Sequence, residues 1–124
     1  MTTRTSPGRL RRALKKLAAT SDELEAGALL SESDSEGCQH IDGVGDRELV
    51  TIYGHLKNMS LCPRAGTPTL EAVLYDGSGD VTLVWLGRRT IVGIKPGASL
   101  VATGRVSCHD QRRVIYNPRY ELRA

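Results

Sequence analysis

The 124-residue sequence predicts a mainly β fold: a small five-stranded barrel preceded by one or two short α-helices. Two observations set the barrel. From Arg47 onward apolar residues recur at every second position, the period of a half-buried strand. Gly- and Pro-rich turn sequences cut that pattern into five short strands, with glycines where a barrel strand must bend. A third observation sets the helices, because the apolar spacing before residue 31 is helical. At this length about two-thirds of the unfolded chain's surface can be buried, so one domain can hold a core without metal or disulfide staples. With no Phe and five aromatics in all, that core has to be aliphatic.

Leu10, Ala13, Leu14 and Leu17 lie at helical spacing among Arg11, Arg12, Lys15 and Lys16, predicting an amphipathic helix over 8–19. Thr20 and Glu23 have capping-box spacing, and Leu24, Ala28 and Leu29 supply the apolar face of a second helix over 21–30. Residues 31–46 have little apolar surface to offset chain entropy and read as an acidic flexible linker. The expected organisation is a basic helical arm (1–30), the linker (31–46) and the barrel domain (47–124).

Leu49–Leu61 is the first strand, with Val50, Ile52, Gly54 and Leu56 on one side and Thr51, Tyr53, His55 and Lys57 on the other. A Cys62–Pro68 loop leads to strands over 69–75 and 81–86, joined by the hairpin sequence Asp76-Gly-Ser-Gly79. Pairing Tyr75 with Asp80 puts Leu70, Ala72, Leu74, Val81, Leu83 and Trp85 on the inner face, so Trp85 reads as a core residue, with a stacking role as the alternative if the register slips by one. Glu71, Val73, Tyr75, Thr82 and Val84 then share the outer face. A connector precedes the fourth strand, 98–108. The fifth, 112–121, is interrupted by Pro118.

Charge is segregated. Residues 1–16 carry six basic side chains and no acidic one, residues 17–46 carry eight acidic and no basic, and from Arg47 onward eleven basic side chains outnumber six acidic. A basic barrel domain predicts a polyanionic partner. Three cysteines make no closed disulfide set, and no secretory apolar region opens the chain, which predicts a reduced, cytoplasmic setting. No apolar run reaches the roughly 20 residues of a membrane span. Cys38, His40, Cys62, Cys108 and His109 lack metal-ligand spacing, so no metal or cofactor is expected. Neither a P-loop nor a Gly-x-Ser-x-Gly elbow nor paired carboxylates propose chemistry, and a non-catalytic binding module is the expectation.

The run Leu70-Glu-Ala-Val-Leu-Tyr-Asp-Gly-Ser-Gly-Asp-Val-Thr-Leu-Val-Trp-Leu86, followed by Lys95-Pro-Gly97, Thr103-Gly-Arg-Val106 and Asn117-Pro-Arg-Tyr-Glu121, resembles the OB-fold nucleic-acid-binding family. It is similar to small actinobacterial OB-fold proteins and to the wedge domain of RecG-type helicases, over residues 47–123. The resemblance implies binding of single-stranded or branched DNA, with RNA as the other polyanion, on strands two and three and the flanking loops. The residues it points to are Tyr75 and Thr82 on the face, Arg64 in the first loop, Arg88 and Arg89 after strand three, and His109, Arg112 and Arg113 around the last hairpin. Arg105 opposite Tyr116 reads either as a binding spot or as an internal cation–π pair. Tyr120 reads as a lid on the core, and Glu71 on the binding face would repel phosphate. The alternative function is a protein-interaction module gripping its partner through the barrel or the N-terminal helices.

Overall fold

The structure, a computed structural model, describes residues 7–123, with side-chain surroundings from Thr20 onward. Its elements are helix α1 (Pro7–Ser35), a 3₁₀ turn (Ile41–Gly43) and strands β1 (Leu49–Leu61), β2 (Thr69–Tyr75), β3 (Asp80–Leu86), β4 (Ser99–His109), β5 (Arg112–Tyr116) and β6 (Arg119–Arg123). Hydrogen bonding runs β1-β2-β3-β5-β4, and β4 pairs back with β1 to close a five-stranded barrel. Only β3–β5 is parallel. This architecture is consistent with the OB-fold.

β5 and β6 lie successively along one edge of β4, from Arg112 opposite His109 to Arg123 opposite Ser99. The register slips by one residue at Asn117–Pro118, where Asn117 takes φ 50°. β6 is therefore the fifth strand resumed after the interruption expected at Pro118.

Tyr75 pairs with Asp80, and the inner face holds Leu70, Ala72, Leu74, Val81, Leu83 and Trp85, all buried. Trp85 is a core residue: its indole Nε1 donates to the Pro118 carbonyl (3.3 Å), and its ring meets Tyr120 edge-on at 6.0 Å. β1 alternates as the sequence shows up to Lys57. There a bulge changes its phase, turning Met59 toward the core and leaving Asn58 opposite Val73.

Of the one or two helices the sequence predicts, the structure has one. Ala18, Ala19, Thr20 and Ser21 contain neither Gly nor Pro, so nothing breaks the helix there. At 1.5 Å per residue α1 is about 43 Å long. The apolar stripe Leu10–Leu17 and the basic arm, with the protein partner assigned to them, lie outside the residues whose side chains are described. The stretch 31–46 is tied into the fold rather than free of it. It ends α1, then buries Ile41 and Val44 in the barrel core. The buried Asp76 carboxylate fastens the 3₁₀ turn by accepting from the N–H of Ile41 (2.8 Å), and it also accepts from the N–H groups of Ser78 and Gly79 and from the Ser78 hydroxyl. The signal was Ile41 and Val44, two apolar residues in an acidic run.

α1 meets the barrel through Leu29, which packs on Tyr53 and Val101 in a small cluster separate from the main core, and through Ala26 and Leu30, which lie against Gly77 of the β2–β3 turn. Burial of one leucine contributes about 1.5–3 kcal/mol. Among the described residues no helix is long and apolar enough to cross a membrane.

Candidate nucleic-acid interface

Because side chains alternate across a strand, pairing β2, β3 and β5 builds an outer face in two rows. Glu71, Val84 and Tyr116 form one, and Val73, Thr82 and Val114 the other. Val84 and Val114 are buried beneath the polar side chains around them, which gives the face an apolar floor.

Two turns carry cations onto this floor. Asp110 and Gln111 both take positive φ (48° and 65°), the two-residue hairpin geometry that matches strand twist. That turn pairs His109 with Arg112, and Arg112 Nη2 reaches the Thr82 hydroxyl at 3.4 Å. On the other side, Arg64 and Thr67 exchange two backbone hydrogen bonds of 2.9 Å around Ala65 and Gly66. This holds Arg64 Nη2 at 3.6 Å from Glu71 Oε1. Arg64, Glu71, His109, Arg112, Val114 and Tyr116 line a shallow groove of about 140 Å³.

The pairing changes what Glu71 does. Its side chain is only 15% exposed and lies under the Arg64 guanidinium, which sets that cation over the groove. Among the described residues, Arg88, Arg89 and Arg112 stand outside every ion pair, so their charge is available to a ligand. Tyr116 is 40% exposed, and its flat ring is the aromatic of this face.

The eight residues singled out from sequence do not all converge. Arg64, Thr82, His109 and Arg112 come together in or beside the groove. Arg88 and Arg89 are exposed just beyond β3, and Arg89 lines a separate cleft with Leu61, Pro63, Gly66 and Pro68. Tyr75 is at the far end of β2, half-buried against the α1 cluster, with Lys57 Nζ 4.4 Å from its ring centroid. It stands two outer positions along β2 from Glu71 and does not line the groove. Arg113 has the opposite parity to Arg112: it reaches the Asp42 carbonyl at 3.5 Å and lies against Gly79 at the barrel end. Tyr116 is the residue sequence reasoning underrated. Arg105 Nη1 donates to the Arg47 carbonyl (2.6 Å), and the one cation–π contact among the described residues is Lys57 over Tyr75. The signal for Tyr116 was its parity with Arg112 and Val114. Among the described residues no three His, Cys, Asp or Glu gather where a metal ion could sit.

No protein-family model matches the chain, and no curated protein does. A solved structure of RecG bound to a three-way DNA junction is similar to it, with 22% sequence identity and a TM-score of 0.59. The match covers 68% of this chain but 12% of that one, so the chain spans a small part of that protein's length. At that identity the likeness is one of fold.

Proposed function

We propose that the protein is a non-catalytic nucleic-acid-binding module that engages single-stranded or branched DNA, or RNA, on the β2–β3–β5 face. The observation that carries this reading is the convergence of Arg64 and Arg112, from two separate turns, on one groove that the exposed Tyr116 also lines. Guanidinium groups neutralise phosphates and stack on bases, while a tyrosine face accepts any base. Arg88 and Arg89 extend the positive edge where β3 ends. With one aromatic in the groove, affinity is modest and carried largely by phosphate contacts. The fold shared with RecG, in a structure bound to a three-way DNA junction, supports the same partner class.

Fluorescence anisotropy of labelled single-stranded DNA, single-stranded RNA and a forked duplex, across a salt series, tests the proposal. Binding that weakens steeply with salt is expected. A folded protein that binds none of the three at low salt overturns it. The cleft that Arg89 shares with Leu61, which is 53% exposed, supports the second reading, a protein-interaction module; its mark is a stoichiometric protein partner retained in high salt after nuclease treatment.

A further inference from the structure

The acidic end of α1 lies against an aromatic and cationic patch of the barrel. On the outer face of β1, Tyr53 and His55 meet edge to face at 6.2 Å, and Lys57 sits over Tyr75 of β2. Carboxylates of the helix and its C-terminal end lie beside this patch. Glu32 accepts from the Tyr53 hydroxyl and lies 3.6 Å from His55 Nε2. Glu36, just after the helix, accepts from Arg123 Nε at 2.8 Å. Asp22 and Glu25 line a cavity of about 470 Å³ with Lys57 and Tyr75.

The contact holding this arrangement is narrow: Leu29 in its small cluster, and Ala26 and Leu30 against Gly77 of the β2–β3 turn. Leu29 is the one apolar side chain of the described helix residues that is fully buried, and the Ser33 hydroxyl is buried without a hydrogen-bond partner. A permanent interface rarely leaves such a group unsatisfied. The patch also continues the open groove, because Tyr75, Val73 and Glu71 are successive outer positions of β2.

We propose that the face under α1 is a second binding surface for single-stranded nucleic acid, and that the helix carboxylates stand in for phosphates until a strand displaces them. This rests on the nucleic-acid reading above and extends it: the strand that occupies the open groove runs along β2 onto Tyr75 when the helix end lifts. Covered, the surface is available in only a fraction of molecules, and apparent affinity is reduced by that fraction.

The test uses the full chain and a fluorescein-labelled oligothymidine. Glu32→Gln with Glu36→Gln keeps helix propensity but removes the stand-in charges. The double variant is expected to bind about tenfold more tightly than wild type as the open fraction rises. Adding His55→Ala and Lys57→Ala abolishes that gain. Glu23→Gln with Asp42→Asn, the same charge change at exposed positions away from the patch, stays within about twofold because distant surface charge is screened. In the wild type, oligothymidine lowers amide-exchange protection at Leu29–Ser33. Binding that is lost in Arg112→Ala with Tyr116→Ala yet unchanged by Glu32→Gln with Glu36→Gln overturns this proposal and leaves the open groove standing. No binding by any form overturns both.

Discussion

Gly54 of β1 faces the Tyr75 carbonyl so closely that a Cβ at residue 54 would lie 2.5 Å from that oxygen and 2.9 Å from its carbon. The obstacle is backbone, so it cannot rotate aside. This is where β1 exchanges its pairing with β4 for its pairing with β2, with His55 opposite both Ser99 and Tyr75. Gly54→Ala is expected to force the strands apart at a cost of about 1–3 kcal/mol. In urea the unfolding midpoint falls while the m-value holds. An unchanged midpoint would show that the two strands can separate freely here.

Asp76 makes a second prediction. Its carboxylate accepts four hydrogen bonds, three of them from backbone N–H groups. Asp76→Ala orphans the buried Ile41 N–H and frees the 3₁₀ turn, and the loss is expected to reach about 3 kcal/mol. Asp76→Asn keeps one acceptor oxygen and loses less. Exchange of the Ile41 amide, measured by NMR, should accelerate in both variants, more in alanine.

These two residues show how far the sequence could be read. The alternation around Asp76-Gly-Ser-Gly79 fixes the β2–β3 register outright, because a slip of one residue would expose Leu83 and Trp85. The hairpin at Asp110–Gln111 is legible for the same reason. Lys57 is not, since a bulge leaves the composition of a strand intact while reversing its faces. Nor are the surroundings of Tyr75, which depend on where α1 docks. One helix or two stays open in the sequence because the capping-box spacing at Thr20 suggests a second start where nothing ends the preceding turn. Parity alone would have placed Tyr116 beside Arg112, but an internal pairing with Arg105 competed with it until Arg105 was seen bound to the Arg47 carbonyl.

His40 gives the connector a pH dependence. Its Nε2 is 2.7 Å from Asp34 Oδ1, and that hydrogen bond raises its pKa above the ordinary 6.5. The protonated imidazole is the form the pairing favours, so the contribution is fully present below pH 6.5 and fades as pH rises through the raised value. Urea midpoints followed across pH should fall for wild type relative to His40→Asn as the solution becomes alkaline. Parallel profiles would show that the pair does not couple to folding.

The last prediction separates residues that charge alone cannot. Arg112 and Arg113 are adjacent, yet one projects over the groove beside Tyr116 and the other turns to the Asp42 carbonyl at the barrel end. Replacing either with alanine removes one positive charge. If phosphates are held in the groove, Arg112→Ala lowers the slope of log affinity against log salt by about 1. Arg113→Ala leaves the slope near its wild-type value and shows instead as a lower unfolding midpoint, because it loses a contact with the 3₁₀ turn at the barrel end. Tyr116→Ala should cost about 1–3 kcal/mol of binding through the lost base stack, with little change in the salt slope. Equal losses of slope for Arg112→Ala and Arg113→Ala would mean that the chain binds by overall charge, with no particular face engaged.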